Sequence, residues 1–247
     1  MAGVFISRGI AVSIPPGGLT IGIGADGHPA GSLTLHVRFD VCPTWTELAL
    51  RHLADAREKR LARHAAWAGT NEAEKAATLE REFEASMQAI MAAAIAVDAF
   101  YGVMKTHLAL PPRLAEKWRM KRTSRHTQVT EVLRRAFLLK PKGVARLKGN
   151  LKEIYRLRDL AVHPSGKMDA PILHPEIGVG VEWRFACFRA HNAELVVNSA
   201  SWVFWDLAHN GKPKNPNIVE YMSGLRQRLV ELFPLGHPFA SCVPHPP

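Results

Sequence analysis

Apolar residues recur at helical spacing through most of this chain, and the pattern lapses only at the two ends and in one internal loop. Thr44-Trp-Thr-Glu47 spells a capping box, which predicts a helix from Thr44 to about Trp67. Gly69-Thr-Asn-Glu interrupts it, and Asn71 with Glu74 is expected to cap the next helix, over about 72–107. In that helix Phe83, Met87, Ile90, Met91, Ala94, Ile95, Val97 and Tyr101 broaden from a stripe into a fully buried centre. Pro111-Pro112 closes the pair and opens a short helix through Trp118. Residues 123–139 carry Val129, Val132, Leu133, Ala136 and Phe137 on one face and stop at Pro141. Residues 143–162 line up Val144, Leu147, Leu151, Ile154, Leu157 and Ala161, and Pro164-Ser-Gly166 ends that run. Residues 188–209 turn Leu195, Val196, Ala200, Val203, Phe204 and Leu207 inward, and 217–233 supply the last helix. Trp202 and Trp205 read as core side chains rather than as base-stacking platforms.

The rest is punctuated differently. Residues 1–43 are rich in Gly and Pro, with short strand-like runs at Val4–Ile14, Leu19–Ile23 and Ser32–Val41. Gly22-x-Gly24 opens no helix and precedes no Gly-Lys-Ser/Thr, so it is not a nucleotide loop. Residues 167–185 read as a loop with room for one hairpin around Gly178 to Trp183, and the proline-rich tail 234–247 has little reason to fold. The expected organisation is therefore a β-prone appendage over 1–43, an all-α domain over 44–233 and the tail. Five or six antiparallel helices around one core is the expected architecture.

Composition changes this picture little, but charge changes it a good deal. Hydrophobic residues make up 47% and charged residues 22%, which suits a globular domain. Cys42, Cys187 and Cys242 lie far apart with no CxxC pair, a usage that fits a reducing cytoplasm. Met87 to Met104 is the one candidate membrane span; Gln88 and Asp98 inside it favour a buried helix, so no membrane association is expected. The net charge of +10 is concentrated: Lys105 to Arg158 hold 16 Lys/Arg against Glu116, Glu131 and Glu153. The remaining chain is slightly acidic, so one basic block gives a polyanion such as RNA a reason to bind. No His/Asp/Glu cluster has metal-ligand spacing and no cofactor motif occurs, so neither a metal nor a cofactor is expected.

The basic block ends on Arg156-Leu-Arg158-Asp159-Leu-Ala-Val-His163-Pro164. An arginine and a histidine meeting at one phosphate can cleave RNA without a metal. The imidazole takes the proton of a ribose 2′-hydroxyl while the guanidinium holds the charge that grows on phosphorus. The Arg158-Asp159-x3-His163 spelling resembles the signature of the HEPN superfamily, in which an Arg followed by a polar residue precedes a His by four to six positions. Ala92-Ala-Ala-Ile-Ala-Val-Asp98-Ala-Phe-Tyr101 is similar to the long helix of that family, with an acid before an aromatic. The resemblance covers about residues 72–233. It implies a HEPN-like antiparallel bundle, often dimeric, and a metal-independent endoribonuclease that leaves 2′,3′-cyclic phosphate and 5′-hydroxyl ends. It also implies a bacterial toxin or defence setting, with an antitoxin protein as an expected partner. The competing expectation is a catalytically silent helical module that binds RNA or protein.

Residue roles follow from that resemblance and from helix geometry. Arg158 and His163 are the expected catalytic pair, with Asp159 beside them and Arg156 as an accessory phosphate contact. Five positions on a regular helix rotate Arg158 away from His163 by about 140°, whereas Arg156, Asp159 and His163 share a face. Pro164 disfavours helix at His163 and lets it swing back. A two-fold dimer is the other way to join the His of one subunit to the Arg of its partner. His163 also suits a helix C-terminus simply as a cation. Asp98 lies among apolar residues and needs a partner: a structural hydrogen bond is one reading, orientation of Arg158 or His163 the other. His174, in the following loop, is within reach of the same region by sequence.

Overall fold

The apolar stripes become helices at nearly the expected places. In the computed structural model, which describes residues 5–163 and 166–239, the helices are α1 (Cys42–Trp67), α2 (Glu72–Thr106), α3 (Pro112–Met120), α4 (Arg125–Phe137), α5 (Pro141–Val162), α6 (Trp183–Cys187), α7 (Ala190–Asn210) and α8 (Pro216–Leu232). Cys242, Pro164 and Ser165, and the tail beyond Phe239 lie outside the described residues.

The chain separates into two units, Met1–Val41 and Cys42–Pro247. In the first, β1 (Ile10–Ser13) pairs antiparallel with β4 (His36–Phe39), and β2 (Leu19–Ile23) with β3 (Pro29–Leu33). The alternation puts Leu19, Ile21, Ile23 and Leu33 on one face, while Thr20 and Ser32 join hydroxyls at 2.6 Å on the other. Nearly every strand residue is exposed, so this unit has no buried layer of its own.

In the second unit the core is one large cluster with a small satellite of Ala56, Ala85 and Ala190. Asn71 caps α2 by accepting from the amides of Ala73 and Glu74. Ala85, Ala89, Ala92, Ala93, Ala94 and Ala96 are all buried along α2. Their small side chains let neighbouring helices approach closely, and Phe100 fills the centre with ring centroids 5.2 Å from Phe204 and 6.2 Å from Tyr221. Ile90, Ala94, Val97 and Tyr101 are all buried. Among the described residues α2 is the one helix long and apolar enough to cross a membrane, yet 56% of its most apolar window is buried within this bundle.

Three local expectations are corrected. The Thr44 capping box does not form, because α1 already begins at Cys42 with Pro43 in its tolerant first turn; Thr46 Oγ1 instead donates back to the Cys42 carbonyl at 2.9 Å. The helix expected over 188–209 is present as α7, starting two residues later, but residues 183–187 before it form the unexpected α6, with a break between the two at Phe188 and Arg189. The break is imposed from outside: the buried Glu82 carboxylate of α2 accepts the Ala190 amide at 3.0 Å and so caps α7. The loop 167–185 does form its hairpin, β5 (Ile172–Leu173) with β6 (Gly180–Val181), closed through Gly178 at φ +69°.

The third correction is the start of the tail, which docks on α7. His237 is buried against Trp202, Trp205 and Phe233. Its Nδ1 accepts the Phe239 amide at 3.1 Å, so Nε2 carries the proton and donates to Ser201 Oγ at 2.9 Å. Ser201 Oγ in turn donates to the Val197 carbonyl at 2.8 Å. This Ser–His contact is therefore a docking bond and not an activated nucleophile. Burial lowers the His237 pKa from 6.5 to about 4. The undocked imidazole thus binds a proton at a higher pH than the docked one, and stability is expected to hold above about pH 6.5 and fall as pH drops through about 4. Thermal melts across that window should show the loss, and a His237→Gln protein should show a shallower one.

Candidate functional site

Asp98 is the organising residue of the sequence-predicted site. It projects from the polar edge of α2 between α4 and α5. Its Oδ1 accepts from Arg125 Nε at 2.7 Å and from the Tyr155 hydroxyl at 2.7 Å. Its Oδ2 stands 3.8 Å from Arg158 NH1, an ion pair rather than a hydrogen bond. Burial and the Asp98 charge push the Tyr155 phenol well above its ordinary range, so this hydroxyl remains a donor. The two readings of Asp98 thus meet in one side chain, which is structurally bonded and also faces Arg158.

Arg158 is held on two sides: NH2 lies 2.9 Å from Asp159 Oδ1, and its guanidinium lies 5.1 Å from the Tyr155 ring centroid. Its Nε is buried and has no partner among the described residues. Asp159 is exposed. Arg156 stands apart, giving Nε to Glu153 at 2.8 Å. It lines a groove of about 330 Å³ between α5 and α7, together with Gly149, Asn150, Asn192, Leu195 and Ser199.

His163 caps the C-terminal end of α5. Its amide still donates to the Asp159 carbonyl at 2.9 Å, so the helix does not loosen before it. The residue is exposed, and its ring makes no hydrogen bond, ion pair or ring contact with Arg158 or any other described residue. The structure therefore joins Arg158, Asp159 and Asp98 and leaves His163 one turn beyond Asp159.

Two neighbours escaped the sequence reading. Arg125, in the first turn of α4, bonds Asp98 and sits over Tyr101, its Cζ 4.1 Å from the ring centroid. His126 follows it; burial and the charges of Lys148 and Lys152 lower its pKa, with Asp159 acting the other way. Lys148, Lys152, Tyr155, Asp159 and His163 fall on one stripe of α5, which places this face beside the start of α4. No local signal marks Arg125, since its importance comes from packing between distant helices. Elsewhere in the basic block Arg134 and Arg135 are tied to Glu131. Arg113, Lys117, Arg119, Lys121, Arg122, Lys140, Lys142 and Arg146 are exposed and form no ion pair among the described residues.

His174 goes elsewhere, into a second ionic cluster that the sequence reading also missed. Arg63, buried on α1, gives Nε to Glu82 of α2 and NH2 to Glu176. Glu176 also receives Arg60 at 3.0 Å and Arg189 at 3.2 Å. Burial would raise the Glu176 pKa, but Arg63 and Arg60 override it and hold it at about 2. His174 is fully buried and accepts the Glu176 amide on Nδ1 at 3.2 Å; burial, then the Arg63 charge, lowers its pKa. The cluster fastens the 172–181 hairpin to α1 and α7, so His174 is a structural residue of that hairpin. A signal did exist: Arg63 continues the buried stripe Ala49, Leu53, Ala56, and Glu82 continues Thr78, Ala85, Ala89. A charge on an apolar stripe demands a buried partner.

No group of three or more His, Cys, Asp or Glu is arranged to hold a metal ion among the described residues. Comparison of the chain with protein-family models, with curated proteins and with solved structures returned no match.

Proposed function

We propose that this protein is an RNA-binding helical protein and, more particularly, a metal-independent endoribonuclease of HEPN type. The observation that carries the reading is the Asp98-tethered Arg158 on α5, five residues before an exposed His163, in a domain that carries many exposed cations with no ion pair among the described residues. In the proposed reaction His163 takes the proton from a ribose 2′-hydroxyl and the 2′ oxygen attacks the adjacent phosphorus. Arg158 holds the charge of the phosphorane-like state. The 5′ oxygen leaves and takes up a proton, giving 2′,3′-cyclic phosphate and 5′-hydroxyl ends. Within one chain the His163 ring makes no hydrogen bond or ring contact with Arg158, and a two-fold homodimer that pairs the His of one subunit with the Arg of its partner completes the site. A toxin or defence role with an antitoxin partner, in the cytoplasm, accompanies this reading.

That same lack of contact favours a second reading, a silent module that binds RNA through the basic face. Incubation of the purified protein with total RNA in EDTA separates the two. Cleavage with cyclic phosphate ends, absent on an all-DNA strand, is expected; intact RNA would leave only the binding module. On either reading RNA affinity should fall steeply with salt, log K losing about 0.7 per log unit of salt for each single-strand phosphate neutralised. Titrations at two salt concentrations check this, and a flat response would mean that the basic surface is merely solvated.

A further inference from the structure

We propose that Arg125 is a second phosphate-binding residue, forming with Arg158 a two-arginine clamp strung on the Asp98 carboxylate. The proposal rests on the RNA reading above for the class of ligand.

One carboxylate here serves two guanidinium groups. Asp98 needs only one of them, because the Tyr155 hydroxyl already donates to Oδ1 and Arg158 faces Oδ2. Arg125 is therefore more than a neutralising partner for Asp98, since Arg158 shares that carboxylate and has Asp159 beside it as well. A guanidinium has five N–H donors, and Arg125 gives Nε alone to Asp98. It also meets the Tyr155 hydroxyl, which still leaves donors of the fork over, and its side chain is 37% exposed. The contact over Tyr101 and the Nε bond to Asp98 hold the group in place before any ligand arrives. A planar fork held in this way suits two oxygens of one phosphate. Arg158, 27% exposed, is held by the same carboxylate from the α5 side. Around the neighbouring His126, Lys148 and Lys152 of α5 act against the one carboxylate of Asp159, so two lysines stand near the clamp on the α5 side.

The test uses the full chain and two short fluorescein-labelled oligoribonucleotides in EDTA. One is 2′-O-methylated throughout, so that binding is read without cleavage; the other is unmodified. Arg125→Gln is expected to lower the salt slope of binding by about 0.7 and to slow cleavage by about 10²-fold. Arg125→Lys, which keeps a point charge but not the fork, should keep most of the slope and still cleave slowly. Circular dichroism checks that both variants fold. A purely structural Arg125 would lower the melting temperature and leave the slope and cleavage rate of the folded protein unchanged, which overturns the clamp. Phenylglyoxal labelling of the wild-type protein, mapped by mass spectrometry, needs no variant. Arg125 should be protected by the methylated oligoribonucleotide, and equal labelling with and without it overturns the proposal. If the wild type cleaves while Arg125 is neither protected nor needed, the clamp fails and the ribonuclease reading stands. If it binds through Arg125 and cleaves nothing, the clamp stands and the ribonuclease reading fails. Absence of any binding defeats both.

Discussion

A His163→Ala protein is expected to fold normally, bind RNA as the wild type does and cleave it at least about 10²-fold more slowly, up to 10⁴-fold, the range a general base contributes. The imidazole is exposed and makes no hydrogen bond, ion pair or ring contact among the described residues, so its removal costs little stability. The charge it can place at the end of α5 accounts for no more than about 1 kcal/mol. A general base acts on a proton rather than on affinity, so the loss should fall on turnover. Arg158→Ala should lose cleavage and part of the binding, because a guanidinium contacts phosphate in both ground and transition states. Arg156, engaged with Glu153 and displaced toward the α5–α7 groove, should weaken binding more than turnover when replaced. A folded His163→Ala protein that cleaves as fast as the wild type would remove the proposed mechanism and leave the binding module. If mixing inactive His163→Ala with inactive Arg158→Ala restored part of the activity, the site would be shared between subunits.

The largest stability effect is expected at the Arg63–Glu82 pair. Both side chains are shut off from water; removing Arg63 strands the Glu82 charge, and removing Glu82 leaves Arg63 with Glu176 alone, a loss of about 3–5 kcal/mol. Glu82→Ala also strips the amide of Ala190 of its acceptor. For a domain of this size the melting temperature should fall by roughly 6–20 °C. Glu82→Gln keeps an acceptor for Ala190 and should lose less. Differential scanning calorimetry decides the matter, and an unshifted Glu82→Ala melt would mean that the cluster contributes nothing.

The helices were largely legible because each carries its own signal: Asn71 marks the start of α2, paired prolines mark α3, and a sustained stripe marks α5. Apart from the Thr44 box, whose helix simply starts two residues earlier, the misreadings share a cause: a distant residue decided the local outcome. Phe188 and Arg189 look helical in sequence, but Glu82 starts α7 at Ala190. Residues 234–239 look unstructured, but His237 finds Ser201 and an aromatic pocket. At the candidate site the sequence supplied Arg158, Asp159 and Asp98 as a group. It supplied neither Arg125 nor Tyr155, because their value lies in where α4 and α5 cross α2. It also put His174 within reach of the site, whereas the Arg63 cluster holds it in the hairpin.

The first amides of a helix ordinarily have no partner in the helix and trade their protons with solvent quickly. Ala190 departs from that rule, because its amide is bonded to a carboxylate 108 residues earlier in the chain. Its proton is freed when Glu82 lets go of it, and the same carboxylate also holds Arg63 of α1. Deuterium uptake at this one peptide group therefore reports the release of that carboxylate, while its neighbours in the loop before it exchange through small local openings.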